Sequence, residues 1–261
     1  MGKNIALVNQ KGGVGKTTTS INLSASLGVL GKKALLIDLD PQGNSTTGLG
    51  VSKKDYNKSV YELLTNKANL KEVIIKTKFK NLYIIPATVN LAGIDVEFIQ
   101  MGSVDNTFNR SMQLKKHIEA AKEVFDYIII DCPPSLGILT TNALTAADSV
   151  LIPIQCEFFA LEGVMQLINT IMFAQKNLNP TLSIEGVLLT MLDSRTLLGL
   201  EVAEDVRSYF KEKVYDTIIP RLVRLSEAPS HGKPIIAYDP RNKGTDAYLN
   251  LAKEVILRNG K

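Results

Sequence analysis

VNQKGGVGKTTT, residues 8–19, joins an apolar run to a stretch of helical repeat, and how it is read decides the fold. Its end matches a phosphate-binding loop: Gly15, Lys16 and Thr17 fit the tail of G-x-x-x-x-G-K-[ST]. The pattern asks for glycine at position 10, where this chain carries Gln10, followed by a second lysine, Lys11. Gly12, Gly13 and Gly15 let the backbone turn tightly and aim its N–H groups, including those of Val14 and Thr18, into a concavity. The helix that starts here adds its own unsatisfied amides and dipole, which favour an anion. Lys16 can reach the outer phosphates of a nucleotide, and the Thr17 hydroxyl can take a place on Mg²⁺. A glycine turn with a purely structural role has no need of the Lys-Thr pair. One lysine suffices for the phosphates, so Lys11 needs a separate explanation.

Outward from the loop, the chain alternates apolar strands with helices. IALVN (5–9) reads as a buried strand, TTTSINLSASLGVL (17–30) as a helix ending near Gly31, and KALLIDLD (33–40) as the next strand. Further strands are expected at 81–87, 126–131, 148–154, 184–192 and 214–220, with helices at 110–124, 138–147, 157–176 and 246–258. Apolar strands separated by helices indicate a parallel sheet covered on both sides. The expected fold is α/β: a single doubly wound, mostly parallel sheet flanked by helices, of the P-loop NTPase type. No repeat, linker or low-complexity block interrupts residues 1–261, so one domain is expected, with 101–112 as a surface excursion.

Composition narrows the class. A chain of 261 residues, 45% hydrophobic, can bury a large core, and 21% charged residues give no sign of global disorder. The net charge of +4 permits contact with nucleic acid without demanding it. Cys132 and Cys156 lie far apart, with no C-x-x-C and no histidine cluster, which argues against a disulfide framework, a zinc site or a self-contained iron–sulfur site. A reducing cytoplasm is the expected compartment. No apolar run approaches the roughly 20 residues that span a bilayer. MGKNIALV has no signal-peptide architecture, and Ala6 stands where a myristoylation motif wants Ser or Thr.

Three carboxylates are placed for phosphate chemistry. Asp131 closes the apolar strand YIIID, where the metal-holding carboxylate of this enzyme class sits. Asp38 and Asp40 end the neighbouring strand in IDLDPQGN, and strand alternation would turn both toward the phosphates. Asp40 is the expected positioner of the attacking water, and Asp38 the shaper of the metal's outer shell. Either acid alone could instead cap the 43–49 turn. Guanine recognition usually needs N-K-x-D, which both NKAN (66–69) and NKGTD (242–246) miss, so ATP is favoured over GTP.

With these residues in view, the chain resembles the ParA/MinD group of ATPases, whose phosphate loop carries the same extra lysine. The blocks DLDPQGNSTTGLG, YIIIDCPPSLG, CEFFALEG, LLTMLDSRT, IPRLVRLSEAPSHGKPI and YDPR follow in order and look like the Soj-like partitioning branch. The resemblance implies an ATP-fastened homodimer in which Lys11 crosses to the partner's phosphates, in the manner of an arginine finger supplied in trans. Lys11, Lys16 and Asp40 become the catalytic set. It further implies binding to double-stranded DNA without sequence preference, through positions matching Arg195 and Arg224, with Arg221, Lys233, Arg241 and Lys243 adding charge nearby. A ParB-type centromere-binding partner would stimulate hydrolysis, the cargo would be a chromosome or a plasmid, and the protein would associate with the nucleoid. Adenine is expected at Pro220 and Leu222, although many relatives carry Asn at the second position. The chain lacks the long N-terminal extension of larger plasmid ParA proteins, and operator-specific repression is not expected. The alternative, a MinD-like membrane-positioning ATPase, would need a basic amphipathic C-terminal helix. In this chain Tyr248, Leu251, Ala252 and Val255 form a stripe expected to pack on the sheet. An iron-protein relative would need a cysteine pair that neither Cys132 nor Cys156 suggests.

Overall fold

The computed structural model describes residues 1–157 and 160–260, with the backbone alone described at 160–163. Phe158 and Phe159 of the CEFFALEG block lie outside the described residues. Eight strands form one sheet: β1 (Lys3–Leu7), β2 (Ala34–Asp38), β3 (Ile75–Lys76), β4 (Leu82–Ile85), β5 (Tyr127–Asp131), β6 (Ser149–Gln155), β7 (Ser183–Leu192) and β8 (Ile219–Pro220). Their spatial order is β3-β4-β2-β5-β1-β6-β7-β8, parallel throughout except for the β3–β4 pair at one edge. The expected mostly parallel α/β sheet is what the chain forms.

Strand alternation assigns each apolar side chain to one of two cores. Ala6, Val8, Leu35, Ile37, Ile128 and Ile130 face one side, with Leu139 and Ala143, Leu167 and Ile171, and Val202 and Val206 of three crossover helices. Ile5, Leu7, Leu36 and Ile129 face the other, where the helices Lys16–Val29 and Lys243–Arg258 supply Ile21, Leu23, Leu27, Tyr248, Leu251 and Val255. Every residue of β2, β5 and β6 is buried, as a strand covered on both faces requires. Each fully buried Leu or Ile contributes on the order of 2 kcal/mol of hydrophobic transfer free energy. The C-terminal stripe lies in this second core and packs on the first helix.

Several elements differ from the sequence expectation. The strand expected at 214–220 is broken: Val214 makes one bridge to Val187, and regular pairing resumes only at Ile219–Pro220. Between them the Asp216 and Thr217 N–H groups donate to the Glu254 carboxylate at 2.9 and 3.1 Å instead of to a strand. The helix expected over 110–124 is α-helical only at Gln113–Ile118 and tightens to 3₁₀ over Glu119–Glu123. Residues 101–104 of the expected excursion finish a helix, Ile94–Val104, and Phe108 packs edge-on to Phe98 with ring centres 5.4 Å apart. Leu197–Phe210 is a helix that the periodicity reading passes over. Its buried Val202, Ala203, Val206 and Phe210 follow helical spacing, but exposed Leu197, Leu198 and Leu200 blur the stripe.

One backbone contact fastens the segment after β2. Gly232 (φ +62°) and Gly50 (φ +70°) lie back to back, and a Cβ on Gly232 would fall 2.6 Å from the Gly50 Cα. Gly232→Ala therefore meets both a clash and a left-handed backbone, and should lower stability by roughly 1–3 kcal/mol. An unchanged urea midpoint for this variant would show that the two turns can separate at no cost.

Candidate nucleotide site

The site assembles at the carboxyl ends of β1, β5 and β2. Asn9 anchors the loop that leaves β1: its Nδ2 donates to the Pro153 carbonyl at 2.7 Å, and its Oδ1 accepts the Lys11 N–H at 3.0 Å. Gly13 (φ 77°) and Gly15 (φ 89°) take the left-handed turns, and Gly15 is the N-cap of the helix Lys16–Val29. A Cβ on Gly12 or Gly13 would meet nothing within 4 Å, so this side of the loop is open. On the other side, Thr190 Oγ1 donates to the Val14 carbonyl at 2.9 Å and pins the loop to β7.

The two lysines diverge. Lys16 is 6% exposed, and its Nζ donates to the carbonyls of Asn9 (2.8 Å) and Lys11 (3.1 Å). Burial lowers its pKa, partly offset by the attraction of Asp131. Lys11 points outward, and its Nζ lies 3.7 Å from Glu157 Oε2.

Beneath the loop, Asp38 and Asp131 stand opposite each other in register on β2 and β5, both fully buried. Asp131 accepts Ser45 Oγ at 2.8 Å and has Ser20 Oγ at 3.1 Å. Burial pushes its carboxyl up to about 6, against the pull of hydrogen bonds from Ser45, Thr17 and Ser20. Asp38 is raised by burial first and by Asp131 second. Its Oδ2 accepts both the N–H (2.8 Å) and the Oγ1 (2.7 Å) of Thr46, so this acid ties down the start of the short helix Asn44–Gly48. The strand alternation expected to bring Asp38 and Asp40 to one side does not extend that far, because β2 ends at Asp38. Asp40 reaches the site from a turn, with Oδ1 accepting the Gln42 N–H at 2.9 Å, and its charge acts on Lys16 and Asp131.

Next to Gly15 and Thr18 lies a cavity of about 150 Å³ that is also lined by Pro220 and Leu222. Among the walls that the sequence reading did not assign to the site are Met191 and Tyr248. Met191 takes φ 53°, where β7 slips register against β8 between Thr190 and Leu192. Nothing local in the sequence marks that bulge. A larger groove of about 950 Å³ runs beside the 41–47 turn without touching Gly12–Thr18.

Arg195 lies in the turn after β7 and Arg224 in the short helix Val223–Glu227 after β8, two strands that are neighbours at one edge of the sheet. Arg195 is exposed and grips Asp193 with two bonds, Nε at 2.8 Å and Nη2 at 2.6 Å, holding that carboxyl down at about 2. Arg221 also acts on Asp193, which places it in the same patch. Arg224 pairs with Glu227 at 3.0 Å and lies over the Tyr238 ring. Cys132 and Cys156 are free, buried thiols whose pKa values burial raises, the second to about 11.

The Asp131 carboxyl predicts how the nucleotide-free protein responds to pH. In the folded protein it keeps its proton to about pH 6, and in the unfolded chain only to about 4. In that window the folded state binds more protons, so stability falls as pH rises and the cost is complete above the folded value. Asp131→Asn can satisfy the same hydroxyls without charge. Its Tm without nucleotide should exceed wild type at pH 7.5, by about 2–4 °C per kcal/mol recovered, and the gain should shrink toward pH 5. A lower Tm would show that the Lys16 ammonium already compensates this acid.

Comparison with known proteins gives the family. Residues 2–184 match the family model described as AAA domain. The chain is 60% identical over 255 residues to the sporulation initiation inhibitor protein Soj of Bacillus subtilis, covering 98% of each chain. It is 50% identical over 256 residues to the chromosome partitioning protein ParA of Caulobacter vibrioides, covering 97% of this chain and 94% of that one. Among solved structures, the cobyrinic acid a,c-diamide synthase of Mycobacterium smegmatis with bound ATP analogue and magnesium superposes with a TM-score of 0.87 at 36% identity, over 100% of this chain and 96% of that one. A loop of this form on this sheet, with relatives this similar from end to end, makes the chain a member of the Soj/ParA family of chromosome-partitioning ATPases.

Proposed function

We propose that the chain is a Mg²⁺-dependent ATPase in which ATP fastens two copies into a homodimer. The dimer binds duplex DNA without sequence preference, and hydrolysis resets it. The observation that carries this reading is the pair of lysines on one loop, Lys16 turned in and Lys11 turned out. Lys16 would trade two carbonyl partners for the outer phosphates, beside the amides of Gly12, Gly13, Val14, Gly15, Thr17 and Thr18. Lys11 would complete charge neutralisation on the partner's nucleotide, which makes the triphosphate part of the interface. Adenine fits the cavity bounded by Pro220, Leu222 and Met191. On this reading residues 1–261 act as one ATPase unit.

The donor set fits Mg²⁺. Among the described residues no three of His, Cys, Asp or Glu gather into a self-sufficient metal site. Mg²⁺ does not ask for one, because it keeps several waters and takes one or two protein ligands beside substrate phosphates. Thr17, backed by Asp131 and more remotely by Asp38, is such a sparse set. When bound, the ion neutralises charge on the phosphates. Asp40, held by the Gln42 N–H, is the group that would orient the attacking water.

The outward ends of β7 and β8 supply the DNA face. Arg195 and Arg224 would exchange their local acids for phosphates, and a dimer doubles the number of such contacts. A ParB-type centromere-binding partner would speed the reset, for a chromosomal or plasmid cargo, on the nucleoid in the cytoplasm. The membrane-positioning alternative finds less support. Tyr248, Leu251, Ala252 and Val255 of the last helix are buried against the first, so that stripe is not free for lipid.

Light scattering with and without Mg·ATP tests the reading directly. Asp40→Ala should form the ATP-dependent dimer, stay on non-specific duplex DNA, and lose turnover by at least tenfold. Normal hydrolysis by this variant would move the water-positioning role elsewhere, and ATP-dependent binding to anionic liposomes but not to DNA would favour the membrane alternative. Arg195→Glu with Arg224→Glu should abolish DNA retention at low salt while leaving ATP-dependent pairing intact. Retention at the wild-type level would place the DNA face on another surface.

A further inference from the structure

We propose that Glu157 holds Lys11 in cis on the unpaired protomer, and so sets how readily two copies pair. The inference rests on the reading above, in which Lys11 crosses to a second copy. It adds a positioning residue, Glu157, and a competition between an internal carboxylate and the partner's phosphates for one cation.

The placement comes from the sheet. β1 and β6 are neighbours, so the loop leaving one and the segment leaving the other emerge side by side. Asn9 stitches them together through the Pro153 carbonyl and orients the Lys11 N–H. Glu157 follows β6 directly, where the Cys156 N–H donates to the Thr190 carbonyl at 3.2 Å and Gln155 Nε2 donates to Glu157 Oε1. The carboxylate is thereby held on the side of the loop where Lys11 projects, with Nζ and Oε2 3.7 Å apart. No other carboxylate forms an ion pair with Lys11 among the described residues.

The same loop gives nucleotide a way to loosen this hold. Lys16 Nζ donates to the Lys11 carbonyl at 3.1 Å, so the inward lysine braces the backbone of the outward one. When Lys16 turns to a phosphate it gives up that carbonyl, and Lys11 is left with its N–H bond to Asn9 Oδ1 and the side-chain ion pair with Glu157. Both members are about half exposed, with side chains 41% and 46% accessible, so the pair is weak and easily exchanged for a triphosphate. A symmetric dimer breaks two such pairs, and together they amount to about a fivefold effect on pairing.

Glu157→Gln isolates the charge, because its amide oxygen can still accept from Gln155. Sedimentation velocity would follow wild type, Glu157→Gln, Lys11→Ala and the double variant with Mg²⁺ and a non-hydrolysable ATP analogue. At low ionic strength Glu157→Gln should pair at about fivefold lower protein concentration than wild type. At about 1 M salt, where the screening length is only about 3 Å, the advantage should fade. In the Lys11→Ala background, Glu157→Gln should change neither pairing nor the affinity of the protomer for the analogue. If wild type pairs with the analogue while Glu157→Gln pairs equally or less well, the cis hold is wrong and the dimer reading stands. Wild type that stays single under saturating analogue would overturn both.

Discussion

Lys16, Asp38 and Asp131 lie in the dry space where the central strands end, and the protein does not bring them into direct contact. The ammonium is satisfied by two loop carbonyls, and the acids by hydroxyls and amides of the next turn. Burial works against the charged form of each. This unresolved charge is what the rest of the site is built around, because a ligand carrying both a divalent cation and phosphates would answer both signs at once. A well-packed apolar alternative would be more stable and would bind nothing.

The surrounding structure keeps these groups apart and aligned. Asn9 ties the loop to β6, Thr190 ties it to β7, and Thr46 ties the segment after β2 to Asp38. The Asn9 tie joins the neighbouring strands β1 and β6, the Thr190 tie reaches past β6 to β7, and the Thr46 tie is local to the segment after β2. A displacement at Thr46 is therefore felt at Asp38, and through the register pair at Asp131. This is a physical route by which the Asp40 turn and Asp131 can respond together. The outer face is built on weaker interactions. Lys11, Arg195 and Arg224 all rest on exposed acids of their own chain, contacts that a polyanion can replace at small cost.

Much of what gathers at the site was legible in the sequence because each signal is local to a short segment. GKT, the apolar strand ending in Asp131 and the extra Lys11 can each be read within a dozen residues. What escaped reading depends on partners distant in the chain. Met191 enters the cavity beside Gly15 through a bulge that exists only against β8, and Tyr248 enters from the last helix, where its OH lies 3.2 Å from Thr19 Oγ1. The strand expected at 214–220 reads as continuous by pattern and breaks because Glu254 captures two of its amides.

By itself the sequence determined the layered α/β fold, the phosphate loop and the acids that face it, since hydrophobic period, glycine spacing and strand ends are properties of short segments. Tertiary structure alone decided where each acid sits and what holds it. Asp38 is drawn away by Thr46, Asp131 is left beneath Thr17 and Ser20, and Asp40 arrives from a turn rather than a strand. It also decided that Lys11 rests on Glu157, some 146 residues away in the chain, because only strand order makes the ends of β1 and β6 adjacent. Contacts between such distant segments depend on the geometry of the folded sheet, and no local pattern records them.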